Sequence, residues 1–344
     1  MPQTAVIQPG LLAAQQTNRR SWASFGADVL GAADLRFAAF RPQILLPTAN
    51  CLPTLLTAYR KALPLLRIPF SIYLMPVFWF GLSALRGPWS GERALGVFVV
   101  LHLLAYPASN GYNSYYDRDE GSIGGLKAPP KVTPHLLHLV WLFDALAVAG
   151  AALLSLPFAA LVVVYLLISK AYSYEGIRLK KYPLLSTLVV VVFQGAFTFL
   201  MTQVGAGATP MQLAEKTNLL LALVSTLFLC GSYPLTQVYQ HAEDAQRGDY
   251  TLSLRLGIRG TFVFAAVGLL AGAAALALAY WLREELRPLL IFLVATGPVV
   301  ALFSRWAWLV WHDEAAANFE HTMRMNQVSS LCLSAAFVAM LLWR

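Results

Sequence analysis

The sequence predicts an all-α, polytopic membrane protein of about nine transmembrane helices surrounding a central cavity open to the cytoplasmic side. Three observations lead to this fold class. Of 344 residues, 58% are hydrophobic and 12% are charged, about half the charge density of an ordinary soluble domain. The mean hydropathy of +0.60 excludes both a water-soluble globule and a disordered chain. Apolar runs of about 20 residues, long enough to cross a bilayer, recur between short polar loops.

Residues 1–66 differ from the rest. Arg19, Arg20, Asp28, Asp34, Arg36 and Arg41 lie among short apolar stretches broken by Pro42, Pro47, Pro53 and Pro64. No run there is long enough to span, and none resembles a signal peptide with a small-residue cleavage site. A cytoplasmic or interfacial extension is expected, with either an interfacial helix over Leu52 to Leu66 or a partly disordered tail. Residues 67–344 form the expected transmembrane domain. Spans are placed near 68–85, 94–112, 135–155, 158–173, 184–203, 218–239, 261–281, 288–310 and 326–343. An odd number puts the two termini on opposite sides.

Orientation follows from the Lys/Arg bias of the loops. Arg60, Lys61, Arg67, Arg118, Lys127, Lys131, Lys170, Arg178, Lys180, Lys181, Arg247, Arg255, Arg259, Arg305 and Arg324 fall on one side. Arg86, Arg93, Lys216, Arg283, Arg287 and Arg344 fall on the other. The first group is expected in the cytoplasm, in a cell inner or plasma membrane. The net charge of +8 is then topological, and no nucleic-acid partner is needed to explain it. Cys51, Cys230 and Cys332 have no paired spacing, so neither a disulfide framework nor a cysteine metal site is indicated.

Acidic residues are scarce, and six of the seventeen cluster at two places. Asp117, Asp119 and Glu120 follow the second span; Glu243, Asp244 and Asp249 follow the sixth. Asn113 and Asp117, and likewise Gln240 and Asp244, stand four residues apart, on one face of a helix leaving the membrane. Two such ends facing each other aim oxygen ligands into one cavity. Mg2+ takes such ligands and keeps substrate phosphates in its shell, and basic residues between the clusters suit a diphosphate's remaining charge. The bland reading is a pair of solvated helix ends; its weakness is that the pattern occurs twice on one side of an acid-poor chain.

These residues resemble the UbiA superfamily of intramembrane prenyltransferases, which has nine transmembrane helices and two Asp-rich motifs. The first motif, Asn-x-x-x-Asp-x-x-x-Asp, matches at Asn113 and Asp117 but meets Gly121 at its last position. The second, Asp-x-x-x-Asp with a glycine and a Thr-Leu-x-x-Arg-Leu-Gly tail, matches at Asp244, Gly248 and Thr251 to Gly257, with Gln240 in place of its first Asp. A Tyr-rich basic loop from Tyr172 to Pro183 lies between them, and Arg67-Ile-Pro69-Phe70 is similar to the family's opening of helix one. The resemblance covers roughly residues 67–344.

The resemblance implies a Mg2+-dependent transfer of a prenyl chain from a prenyl diphosphate to an acceptor in the bilayer. The acceptor is expected to be aromatic, such as a quinone precursor, or a lipid. Asp117 and Asp244, helped by Asn113 and Gln240, would hold the metal. Asp119 or Glu120 and Glu243 or Asp249, with Asp119 and Glu243 preferred, would stand in for the two missing carboxylates, or else a single metal is bound or the activity departs from the family norm. Lys127, Arg178 and Lys180 would stabilise charge on the leaving diphosphate, and Arg118 would help bind it. Tyr115, Tyr172 and Tyr174 are candidates for a π-rich wall around an allylic cation, and Gln194 is a candidate for the acceptor cavity. The alternatives are a terpene cyclase of the same fold, or a scaffold or transporter without turnover.

Other residues carry weaker signals. Asp144 lies inside the third span, where a carboxylate marks either a functional site or an internal bond, and the internal bond is the expectation. His102 and His138 are read as packing or interfacial residues. His312, Asp313, Glu314 and His321 lack ligand periodicity.

Overall fold

The structure, a computed structural model, describes residues 51–343. Within them, nine helical runs are long and apolar enough to cross a membrane. These are α1 (Leu55–Ala84), α2 (Gly91–Asp117), α3 (Pro134–Leu154), α4 (Leu156–Ser173) and α5 (Pro183–Ala206), then α6 (Lys216–Arg247), α7 (Leu252–Leu282), α8 (Leu286–His312) and α9 (Phe319–Leu342). Each overlaps one expected span. Between the spans lie short helical turns at Leu179–Lys181, Pro210–Ala214 and Glu314–Ala316, and one isolated β-bridge joins Ile123 and Leu126. The tail up to residue 50 lies outside the described residues.

The first span differs most from the sequence reading. A helix over Cys51–Ala62 runs into two 3-10 segments, Leu63–Leu66 and Ile68–Leu74. They are joined at Arg67, whose backbone is left-handed (φ 49°, ψ 43°). Pro64 and Pro69 each sit at the start of a segment, where a missing N–H costs no internal bond. Leu65 and Leu66, assigned by the sequence to the extension, are fully buried with Tyr112, Leu136 and Val140.

Lipid is as apolar as leucine, so helices in a bilayer associate through close packing and polar bonds. Both occur here. A Cβ on Gly231 of α6 would come within 2.9 Å of the Ala265 carbonyl of α7, and one on Gly268 within 2.8 Å of the Gly231 Cα. Only glycine at both positions permits that approach. Between α5 and α6 the buried amides of Gln203 and Asn218 exchange hydrogen bonds of 2.9 and 2.8 Å. Between α3 and α4 the Lys170 ammonium lies 2.6 Å from the Asp144 carboxylate and over the Tyr112 and Trp141 rings. Asp144 thus has the internal partner expected of it. Lys170, counted in a cytoplasmic loop, instead neutralises a carboxylate within the bundle. The histidine and acidic group near 312–321 makes local contacts: Asp313 caps the turn Glu314–Ala316, and His321 stacks on Trp306.

Two irregularities set up the site. Pro234 ends the regular part of α6, which continues as a 3-10 segment Pro234–Gln240 and a short helix His241–Arg247. In α5 the π-helical segment Phe193–Phe197 bends at Gly195, and the Thr226 hydroxyl accepts from the Ala196 N–H that the bend releases (3.0 Å). Mid-helix irregularities of this kind are costly and concentrate at functional sites.

Candidate active site

The end of α2 and the broken end of α6 face one another across a cavity of about 180 Å3. Asn113 and Asp117 line it from α2, Gln240 and Asp244 from α6, Tyr172 from α4, and Lys180 from the loop between α4 and α5. Asp119 and Asp249 enter from the loops after α2 and α6. The two amide–carboxylate pairs singled out by their spacing therefore converge on one space.

Asp117 occupies the last position of its helix, the negative end of the helix dipole, where a carboxylate is unfavourable unless a cation offsets it. Lys180 does so: its Nζ is 2.5 Å from Asp117 Oδ1 and 3.4 Å from Asp249 Oδ2. Arg178 grips Asp249 with two nitrogens, Nη2 at 2.9 Å and Nε at 3.3 Å. Burial alone would raise the Asp249 carboxyl; Arg178 and Lys180 outweigh it and hold it below the usual carboxylate range. Arg247 bonds Asp119 and Glu243 together. Asp244 alone of the cavity carboxylates is in contact with no basic side chain among the described residues.

The amides are oriented. Ser173 donates to Asn113 Oδ1 at 2.6 Å. The Gln240 NH2 donates to the Ser122 carbonyl at 3.3 Å, which leaves the Gln240 carbonyl oxygen free of that bond. Glu243 reaches back across the cavity rim, where its carboxylate accepts the Gly121 N–H at 3.4 Å.

A second cavity of about 240 Å3 adjoins the first, and the two share Arg67, Asn113, Tyr172 and Tyr233 in their linings. It runs past Tyr106, Tyr165 and Ser169 to Gln194 on the π-helical bend of α5. The Tyr172 and Tyr233 hydroxyls, 2.8 Å apart, stand where the two spaces meet.

Six sequence candidates lie outside both linings, among them Glu243, which meets the lining through its bond to Arg247. Lys127 is exposed and pairs with Glu320 at 2.6 Å. Arg118 is an exposed left-handed cap that closes α2. Tyr115 and Tyr174 pack edge-on against Tyr116, and Tyr174 is largely exposed. Arg178 touches the site only through Asp249.

Sequence reasoning in turn passed over Tyr233, Arg67 and Arg247. Arg67 is 9% exposed and reaches the Gly124 and Asn110 carbonyls from its left-handed turn. Arg247 was read only as a topological charge, although its i,i+4 spacing from Glu243 is a signal for an ion pair.

The chemistry available to this arrangement is that of a polyanion site. Two carboxylates and two amide oxygens converge, one carboxylate touches no basic side chain among the described residues, and Lys180 and Arg247 stand at the edge. That donor set fits a hard divalent cation such as Mg2+, which favours oxygen ligands and retains phosphates in its shell.

Residues 73–328 match the model of the UbiA prenyltransferase family. A UbiA homologue from Archaeoglobus fulgidus bound to GPP and Mg2+ superposes with a TM-score of 0.60 at 17% identity, covering 82% of this chain and 99% of that one. The apo UbiA homologue from Aeropyrum pernix K1 gives 0.60 at 16% identity, covering 79% and 98%. A digeranylgeranylglyceryl phosphate synthase structure gives 0.53 at 16% identity, covering 82% and 98%. At these identities the likeness is one of fold. No curated protein matches the sequence.

Proposed function

Because the chain belongs to the UbiA prenyltransferase family, we propose that it transfers a prenyl chain from a prenyl diphosphate to an aromatic or lipid acceptor within the bilayer. The observation that carries this reading is the convergence of Asn113 and Asp117 with Gln240 and Asp244 on one cavity, with Lys180 beside Asp117. The solved relatives bound to GPP with Mg2+ and to DMAPP with Mg2+ support the same ligand class. The acceptor is read as a quinone precursor or a comparable phenol, and the site as opening to the cytoplasm.

Asp117, Asp244, Asn113 and Gln240 are the residues that would hold Mg2+. Bound there, the metal would supply positive charge to the diphosphate oxygens and make the diphosphate a better leaving group.

The chain's own residues do the rest. Lys180 and Arg247 place fixed positive charge where negative charge grows as the allylic C–O bond breaks and its electron pair leaves with the diphosphate. Arg178 fixes Asp249, and Asp249 with Asp117 fixes the Lys180 ammonium. Tyr172 and Tyr233 form the wall between the two cavities, so the allylic carbon passing from one to the other meets aromatic rings and ordered hydroxyls rather than bulk water. The acceptor, lying toward Gln194 in the second cavity, attacks that carbon and loses a ring proton to recover its aromaticity. The tyrosines Tyr115 and Tyr174 and the cations Lys127 and Arg118 have no part in this scheme.

Purified protein incubated with a panel of prenyl diphosphates and phenolic or lipid acceptors tests it by mass detection of products. A prenylated acceptor supports the reading. A cyclic hydrocarbon formed without acceptor assigns the site to a terpene cyclase instead, and binding without release of diphosphate assigns it to a non-catalytic carrier or scaffold.

A further inference from the structure

We propose that Arg247 is a permanent cation of the diphosphate site, locked between Asp119 and Glu243, and that the site therefore takes a single divalent metal ion. The inference rests on the prenyl-transfer reading above and adds to it which groups carry the counter-charge.

Two geometric facts define the arrangement. Glu243 occupies the space that a side chain at position 121 would take: a Cβ on Gly121 would lie 2.7 Å from Glu243 Oε2. The Gly121 N–H also donates to the other oxygen of that carboxylate. A carboxylate from the α6 arm thus sits in the place left by the absent side chain after α2, and a side chain at 121 would have to push it aside.

Arg247, one helical turn beyond Glu243, bonds Asp119 through Nη1 and Glu243 through Nη2 and lines the cavity. A guanidinium carries five N–H donors in a rigid plane. Two are taken by the carboxylates, so three remain for phosphate oxygens, and Arg247 cannot lose its charge by deprotonation.

The consequence for metal count is electrostatic. Asp119 and Glu243 already share one positive charge in contact with them. A divalent ion between them would meet that charge at contact distance or would have to expel it. The oxygens without such a partner are those of Asp244 and of the amides Asn113 and Gln240, with Asp117 shared with Lys180. This set suits one hard cation that completes its shell with water and phosphate. Arg247 then fills the role a second ion would play, as a fixed point charge that binds the diphosphate whether or not metal is present.

The test counts metal ions without turnover. Full-length protein in nanodiscs is titrated with Mn2+ at saturating inorganic pyrophosphate, with bound Mn2+ read by EPR and pyrophosphate affinity by calorimetry. The native protein is expected to hold one Mn2+. Arg247→Ala, which frees Asp119 and Glu243, is expected to raise the count to two and to weaken pyrophosphate binding without metal by about tenfold, the scale of a lost charge-assisted contact. Arg247→Lys should keep the count at one and recover part of the affinity. Glu243→Gln should keep one ion and lose affinity, because Arg247 then has a single anchor. Two Mn2+ in the native protein, or an Arg247→Ala protein with native count and affinity, overturns the proposal. If Arg247→Ala does not insert, native pyrophosphate affinity in both Arg247→Lys and Glu243→Gln overturns it instead. A native protein that binds neither Mn2+ nor pyrophosphate removes the prenyl-transfer reading as well, whereas two tightly held Mn2+ remove this inference alone.

Discussion

The ammonium of Lys180 stands 2.5 Å from the carboxylate of Asp117, a contact between residues 63 apart in sequence. It joins the loop between α4 and α5 to the negative end of α2 and puts a buried cation beside the expected metal ligands. Removing that charge should impair the chemical step more than substrate binding. Lys180→Gln is expected to lower the rate of diphosphate release by about 100- to 1000-fold, the usual cost of losing one preorganised stabilising group. Lys180→Arg should retain part of it. Steady-state release of pyrophosphate from a prenyl diphosphate measures both, and a rate within threefold of native for Lys180→Gln would remove Lys180 from the mechanism.

Asp117 and Asp244 should separate in their effects on stability although both are expected to be needed for activity. Asp244 touches no cation among the described residues, so Asp244→Asn is expected to leave the metal-free Tm unchanged or to raise it. A ligand that binds only the folded state stabilises it by mass action, and Asp244→Asn should abolish the Tm rise produced by Mn2+ plus pyrophosphate. A variant that loses stability without metal yet keeps the full rise would show that Asp244 is structural.

The loops that carry the two motifs should be reachable from the cytoplasm alone. Single cysteines at Ser122 and Gln246, in a chain whose three native cysteines are replaced by serine, are expected to react with an impermeant maleimide in inverted vesicles and not in intact cells. A cysteine at Arg287 should show the reverse. Labelling of position 122 or 246 from outside would invert the topology.

The nine spans were legible in the sequence because a bilayer imposes one requirement on every crossing, about 20 apolar residues, and the sequence meets it nine times. Asn113, Asp117, Gln240 and Asp244 were legible for a related reason: i,i+4 spacing fixes which side chains share a helix face. The start of α1 was not legible. Pro64, Arg67 and Pro69 interrupt its apolar pattern, and only the left-handed turn at Arg67 lets Leu65 and Leu66 pack on α2 and α3. The partners of the cations were not legible either. Lys127 lies close to the first motif in sequence but pairs with Glu320, while Lys180 comes to Asp117 through tertiary packing that no local period encodes.

The ion pair of Lys170 and Asp144 should be a matter of stability and not of chemistry. Both side chains are almost fully enclosed, and deleting one partner leaves the other charged and unpaired. Lys170→Met is expected to cost about 3–5 kcal/mol. Lys170→Met with Asp144→Leu should recover most of that loss, because two apolar groups need no compensation in lipid. Thermal unfolding in detergent, with diphosphate release measured alongside, checks both. A double variant as unstable as the single one would mean that the pair does more than neutralise itself.

The crossing of Glu243 into the space beside Gly121 makes a prediction about restoring the family pattern. Gly121→Asp supplies the carboxylate that the family motif has at that position. Its Cβ would stand 2.7 Å from Glu243 Oε2, so the change brings two like charges together and pushes the Glu243 carboxylate off its bonds to Arg247 and the Gly121 N–H. Gly121→Asp alone is therefore expected to reduce pyrophosphate binding and diphosphate release by at least tenfold. Glu243→Ala alone should also reduce them, by taking one anchor from Arg247. The double variant removes the clash and leaves one carboxylate in the shared space, now on the α2 side. It should bind pyrophosphate better than either single variant. Residues in contact show coupling energies of about 0.5–3 kcal/mol, and here the sign should favour the pair. Calorimetric titration of the four proteins completes the cycle. Additive losses would show that the two positions act independently and that Glu243 does not stand in for the missing side chain.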